Sequence, residues 1–104
     1  NAIELVHGDA IEWMQDTAAD PNGKTFDIIF IDADKDNYLA YYELAMGDRG
    51  FRPLLAENGV VLADNTLSAL VYDDDDSRRT ALHLFNQHVK NDTRVEQAVM
   101  TVRE

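Results

Sequence analysis

Residues 26–37 read Phe-Asp-Ile-Ile-Phe-Ile-Asp-Ala-Asp-Lys-Asp-Asn, an unbroken apolar run that turns abruptly to charge. The large apolar side chains from Ile28 to Ile31 suit a strand covered on both faces, as in a parallel α/β sheet. Asp32, Asp34, Lys35 and Asp36 follow at once. The carboxyl end of such a strand is where open α/β sheets bind their ligands. The same form returns downstream, where Val60, Val61, Leu62 and Ala63 lead into Asp64 and Asn65. Two buried strands, each ending in carboxylate or amide, are the main functional signal of the chain.

The segments around these strands alternate with them. Residues 2–6 read as a short strand ending at His7-Gly8-Asp9. Over residues 10–19 the periodicity is helical, with Ala10, Ile11, Met14 and Ala18 on one face and Asp9 placed to cap the first turn. Met14 and the flanking Trp13 read as core. Pro21 and Asn22-Gly23 mark a loop. Residues 38–46 form a second helix, capped by Asn37 or Asp36, whose Tyr38, Tyr41, Tyr42 and Ala45 recur at spacings of three and four. A stripe of that kind is core packing unless something else supports a ligand role. Residues 51–56 read as a short helical piece with Pro53 in its first turn, and Gly59 as a left-handed cap. Strand, helix, strand is a βαβ unit with a right-handed crossover, so both acidic tips lie on one edge of the sheet. Residues 66–72 are a loop. The acids 73–76 read as a solvated turn whose charge favours the next helix N-terminus. That helix is capped by Ser77 or Asp76 and runs to about Lys90, with Ala81, Leu82, Phe85 and Val89 inward. His83 and His88 are five apart, not at the i, i+4 spacing of paired helical ligands, and read as exposed surface. Residues 95–102 alternate and read as a last strand.

Composition narrows the function classes. The 104 residues make one small domain. Twenty acidic side chains against nine Lys and Arg give a formal charge of -11, which argues against a nucleic-acid partner, since that needs a basic face. No apolar run approaches the roughly 20 residues a membrane span requires. With no cysteine, disulfides and thiolate metal sites are excluded and a cytoplasmic setting is expected.

Asp32, Asp64 and Asn65 offer only oxygen ligands, a set that selects a hard cation: magnesium first, calcium or manganese next. Neighbouring strands lie about 4.8 Å apart, so Asp32 and Asp64 could share one ion. A cation with open positions can bind a hydroxyl and ease its ionisation. Lys35 stands three residues beyond Asp32 and could take that proton if burial and the cation lower its own basicity. The alternative is structural: the two aspartates only cap strand ends and Lys35 forms a surface ion pair.

The run from Phe26 through Tyr38, followed at this spacing by Gly59-Val-Val-Leu-Ala-Asp-Asn65, resembles the cation-dependent O-methyltransferases, the caffeoyl-CoA and catechol O-methyltransferase-like groups. The resemblance implies an α/β fold, part of a Rossmann-like sheet, and S-adenosylmethionine as cofactor. It implies Asp32, Asp64 and Asn65 as metal ligands, Asp34 and Tyr41 at the cofactor, Ala10 near its adenine, and Lys35 as the base. The reaction would be in-line attack of a small phenolic or catechol-like acceptor's oxygen on the cofactor's methyl group. Two departures stand out. The family's glycine-rich cofactor loop and the acidic residue that holds the ribose have no counterpart, so residues 1–104 look like the C-terminal portion of a single methyltransferase domain, lacking its first two strands and its last. The plant enzymes' tryptophan and substrate-contacting asparagine are replaced by Ser68 and Ala69, which argues against caffeoyl-CoA as acceptor.

A sheet lacking strands exposes edges that invite pairing. The isolated chain is therefore expected to be unstable, or to associate with itself or with a missing N-terminal segment. Two other classes compete: a non-catalytic remnant or interaction module that keeps the strand tips, and a phospho-acceptor signalling domain. The latter needs an acidic pair after an earlier strand and a lysine after a later one, and the chain supplies neither in full.

Overall fold

A computed structural model describes residues 3–64, 73 and 75–98. Its elements are α1 (Ala10–Ala19), β1 (Phe26–Ile31), a 3-10 turn (Lys35–Asn37), α2 (Tyr38–Met46), β2 (Leu55–Ala63) and α3 (Ser77–Lys90). β1 and β2 pair in parallel, in register from Ile28 opposite Val60 to Ile31 opposite Ala63. The architecture is α/β, consistent with part of a Rossmann-like methyltransferase sheet.

The middle of the molecule is α2. Tyr38, Ala40, Tyr41, Tyr42, Leu44 and Ala45 are all buried, so this helix is apolar on most sides, as a helix packed by several neighbours must be. It touches α1, α3 and both strands. Gly47 ends it in the left-handed region at φ 81°, and its N–H donates to the Glu43 and Leu44 carbonyls, the αL closure that glycine adopts without strain. On α1, Asp9 accepts from the Glu12 N–H at 3.2 Å. Met14 and Ala18 face the core, whereas Trp13 is 38% exposed and is not the core residue its sequence position implied. Arg52 fastens the far end of this helix, donating to the Thr17, Asp20 and Lys24 carbonyls at 2.8, 2.6 and 2.9 Å. On α3, Asp76 is the cap, accepting from the Arg78 N–H. Leu82 and Phe85 are buried, with the Phe85 ring edge-on to Tyr38 and Tyr42 at 5.6 and 5.9 Å.

A polar clasp joins α2 to the chain beyond α3. The buried Tyr42 hydroxyl donates to Asp92 Oδ2 at 2.7 Å. Arg94 grips the same carboxylate through Nε and Nη2 and the Asp48 carboxylate through Nη1 and Nη2, all within 2.9 Å. Burial and then Asp92 push the Tyr42 phenol up. The Arg94 hydrogen bonds hold Asp92 well below the usual carboxylate range.

Several expectations are corrected. No helix forms over residues 51–56; instead β2 begins at Leu55. The buried Leu54 accepts from the Phe26 N–H at 2.8 Å and donates to the Ala45 carbonyl at 3.0 Å, so tertiary pairing overrides the local helical pattern. Between Phe26 and Ile28 the register shifts while β2 advances from Leu55 to Val60, and the extra residues bulge. The left-handed residue there is Asn58, at φ 65°, not Gly59. Gly59 is required for space: a Cβ on it would lie 2.7 Å from Leu55 Cδ1 and 2.8 Å from the Ala56 carbonyl oxygen.

The strands are not covered on both faces. Ile29, Ile31, Val61 and Ala63 belong to or pack on the core, but Ile28 (64%), Phe30 (61%), Val60 and Leu62 are exposed. Residues 3–6 are irregular rather than a strand, and Ile3 and Leu5 are almost fully exposed. A strand needs a ladder partner for its backbone groups, and among the described residues the sheet contains only β1 and β2. Residues 95–98 are likewise irregular. The remainder of the expected last strand, the whole of the expected loop 66–72, and Asn65 lie outside the described residues.

Candidate active site

The parallel register brings the two strand ends together. The Asp64 N–H donates to the Ile31 carbonyl at 3.0 Å, one residue past the Ile31–Ala63 pair. Asp32 and Asp64 therefore leave their strands side by side at one sheet edge, and both are exposed. Among the described residues no group of three His, Asp or Glu side chains is assembled that could hold a metal ion. The described donors are thus two carboxylates. Their hard oxygen chemistry suits a magnesium-type cation, and further ligands would have to come from other groups or from water.

Just beyond Asp32 the chain turns through a 3-10 segment into α2, and this turn positions the next pair. The Tyr41 hydroxyl donates to Asp34 Oδ1 at 2.7 Å, and the Asn37 amide donates to Asp34 Oδ2. The Tyr41 bond is the chief reason that Asp34 is held below the ordinary carboxylate value. Burial, then the bond to Asp34 and its charge, push the Tyr41 phenol up to about 12; the Asp9 carboxylate adds to the shift. Ala10, the first residue of α1, is exposed and lines an open groove with Gly8, Asp9 and Trp13. The tyrosine stripe is thus core, as its spacing implied, while its hydroxyls also reach polar partners, that of Tyr41 at Asp34.

Lys35 forms no ion pair among the described contacts. Its Nζ donates to the Tyr38 hydroxyl at 2.8 Å and lies 3.4 Å from the Ala33 carbonyl. Tyr38 is fully buried; its hydroxyl donates to the Asp64 carbonyl at 2.8 Å and lies 3.4 Å from the Ile31 carbonyl. Sequence reasoning placed Tyr38 only in the core. The available signal was its i, i+3 spacing from Lys35, which puts two side chains on one side of a helical turn. His83 is exposed as expected, whereas His88 is half-buried, with its ring 5.8 Å from that of Tyr42.

The family model described as O-methyltransferase matches residues 1–104. A probable caffeoyl-CoA O-methyltransferase 3 of Dictyostelium discoideum is 32% identical over 98% of this chain and 45% of its own length. Caffeoyl-CoA O-methyltransferase 1 of Zea mays is 33% identical over 84% of the chain and 33% of its own length. The O-methyltransferase ankF of Aspergillus thermomutatus is 43% identical over 62% of the chain and 24% of its own length. The chain therefore belongs to the O-methyltransferase family. It spans less than half the length of these relatives.

Proposed function

We propose that the full-length protein transfers a methyl group from S-adenosylmethionine to a hydroxyl of a small phenolic or catechol-like acceptor, with a divalent cation, magnesium foremost, at the strand tips. The observation that carries this reading is the gathering of Asp32, Asp64, the Asp34–Tyr41 pair and the Lys35–Tyr38 pair around the ends of two parallel strands. Family membership supports O-methyl transfer; the cation rests on the chemistry of the donors, and the acceptor class on the resemblance to the caffeoyl-CoA and catechol O-methyltransferase-like groups.

Asp32 and Asp64, joined by Asn65 from outside the described residues, would hold the cation through oxygen atoms alone. A cation bound there would supply Lewis-acid assistance to ionisation of a hydroxyl. Asp34, Tyr41 and Ala10 would line the side on which the cofactor binds, and the cofactor would supply an electrophilic methyl on a positively charged sulfur. Lys35 would receive the acceptor's hydroxyl proton, as the new oxygen–carbon bond forms and the sulfur–carbon bond breaks. Holding the reacting groups in line is the main contribution of such a site, because orientation alone accounts for several kcal/mol of a barrier, about 7–11 at best. The bare sheet face of Ile28, Phe30, Val60 and Leu62 supports a covering partner: a further segment of the full-length protein, or else a second copy of the chain. A cytoplasmic setting suits a sequence without cysteine.

Calorimetric titration of magnesium into the full-length protein and its Asp64→Ala variant tests the ligand assignment. A clear loss of affinity in the variant is expected, and equal affinity in the two would sink it. The bare sheet face also gives weight to a second reading, a remnant that keeps the tips without binding cofactor. Titration of S-adenosylmethionine into this chain alone separates the two, since micromolar binding is incompatible with a remnant.

A further inference from the structure

Tyr38 is buried at the junction of both strand ends and the one lysine of the site, and its hydrogen bonds run in a fixed direction. A phenol has one hydrogen to give and lone pairs to accept with. Its shorter contact to a carbonyl is the 2.8 Å approach to Asp64, against 3.4 Å to Ile31. The hydrogen therefore goes to the β2 end, and a lone pair is left to accept from Lys35 Nζ at 2.8 Å. The ring cannot swing away: it is fully buried and stands edge-on to Phe85 at 5.6 Å. The flexible lysine stem is thus anchored to a rigid group that is itself anchored to the backbone carrying Asp64.

From this we infer that Tyr38 is a positioning residue, which holds the Lys35 amine at the acceptor's hydroxyl by tying it to the end of β2. The inference rests on the reading of Lys35 as the proton acceptor. The lysine nitrogen is tetrahedral and carries up to three hydrogens. With two of its directions turned toward the Tyr38 oxygen at 2.8 Å and the Ala33 carbonyl, 3.4 Å away, the third faces away from both, and this is the position that takes the substrate's proton. Without the phenol oxygen the amine samples its full rotamer range, and a lysine has a large one to lose when it is fixed. Tyr38 touches neither acceptor nor cofactor in this scheme and acts only through Lys35.

The test is a double-mutant cycle in the full-length protein with magnesium, S-adenosylmethionine and a catechol as probe acceptor. Lys35→Met should lower kcat by about 10²–10⁴-fold, the usual weight of a general base. Tyr38→Phe keeps the ring contact with Phe85 and should lower kcat about tenfold with the KM for S-adenosylmethionine unchanged, and it should have no further effect in the Lys35→Met background. An unaffected Lys35→Met enzyme overturns the base reading and this inference with it. A disabled Lys35→Met enzyme beside a normal Tyr38→Phe enzyme overturns this inference alone, as does an equal Tyr38→Phe loss in both backgrounds, which marks a structural role. A second readout needs no turnover: hydrogen exchange of the Lys35 amine, followed by nitrogen NMR, should be slow in the wild-type protein and fast in Tyr38→Phe. Fast exchange in the wild type would mean that the anchor does not hold.

Discussion

Removing the Asp92 carboxylate should unfasten α2 from the end of α3, and the cost can be worked out group by group. Tyr42 is buried, and its hydroxyl donates to an ionised oxygen at 2.7 Å. A hydrogen bond to a charged group contributes about 1.5–3 kcal/mol, and deleting only the acceptor leaves a buried donor unsatisfied. The ion pair with Arg94 adds less: the Arg94 side chain is 48% exposed, and exposed pairs contribute roughly 0–1 kcal/mol. Asp92→Ala should therefore destabilise the full-length protein by about 2–4 kcal/mol. Asp48→Ala, which removes only the outer grip on the same half-exposed arginine, should cost less than about 1 kcal/mol. Equilibrium urea denaturation of the variants measures both.

The sharper check adds Tyr42→Phe. In the Asp92→Ala background, Tyr42→Phe removes the stranded hydroxyl, so the double variant should be no less stable than Asp92→Ala alone. Strict additivity, or an Asp48→Ala cost as large as that of Asp92→Ala, would refute the argument, because the energy would then reside in the surface ion pairs. The pH dependence follows with its sign. The folded-state pKa of Asp92 is depressed, so its contribution is complete above the unfolded carboxylate value and is lost as the pH falls through about 4 and below.

Other outcomes follow from the same geometry. Tyr41→Phe removes the strongest influence holding Asp34 below its ordinary value, so the carboxyl should titrate higher in the variant; carbon NMR of Asp34 reads this, and an unchanged titration would remove Tyr41 as the cause. Phe30 is 61% exposed, so Phe30→Ala in this surrounding alone forfeits only about 1 kcal/mol of apolar burial, whereas in a full-length protein that covers the face it should cost about 3–5 kcal/mol. A cost near 1 kcal/mol in the full-length protein would show the face to be bare there too. The isolated chain should self-associate or lack a cooperative transition, and a sharp, monomeric melt at low concentration, checked by ultracentrifugation, would count strongly against a missing cover.

What the sequence made legible was local and periodic. The bounds of α1, β1 and α2 match their patterns, because a three-to-four spacing or an apolar run is a property of adjacent residues. The parallel pairing was legible too, since a strand, a helix and a second strand admit few arrangements. What failed needed distant partners. The β2 extension back to Leu55 depends on Phe26 and Ala45, neither of which residues 51–56 can announce. Residues 3–6 carry a strand pattern with no neighbouring strand among the described residues to pair with.

The candidate site divides along the same line. The position of Asp32, Asp34, Lys35 and Asp64 just past the strand ends was legible, and polar residues that follow an apolar strand have little to do there except meet solvent or a ligand. Tyr38 was not, because its role depends on which way one buried hydroxyl points. In the sequence it is another member of a tyrosine stripe, and the stripe does build the core. Its hydrogen bonds nonetheless link a lysine from the loop after β1 to a carbonyl at the end of β2. Packing and chemistry thus share one helix face: burial of the ring makes the hydroxyl rigid, and rigidity is what lets a single oxygen determine where a mobile amine waits.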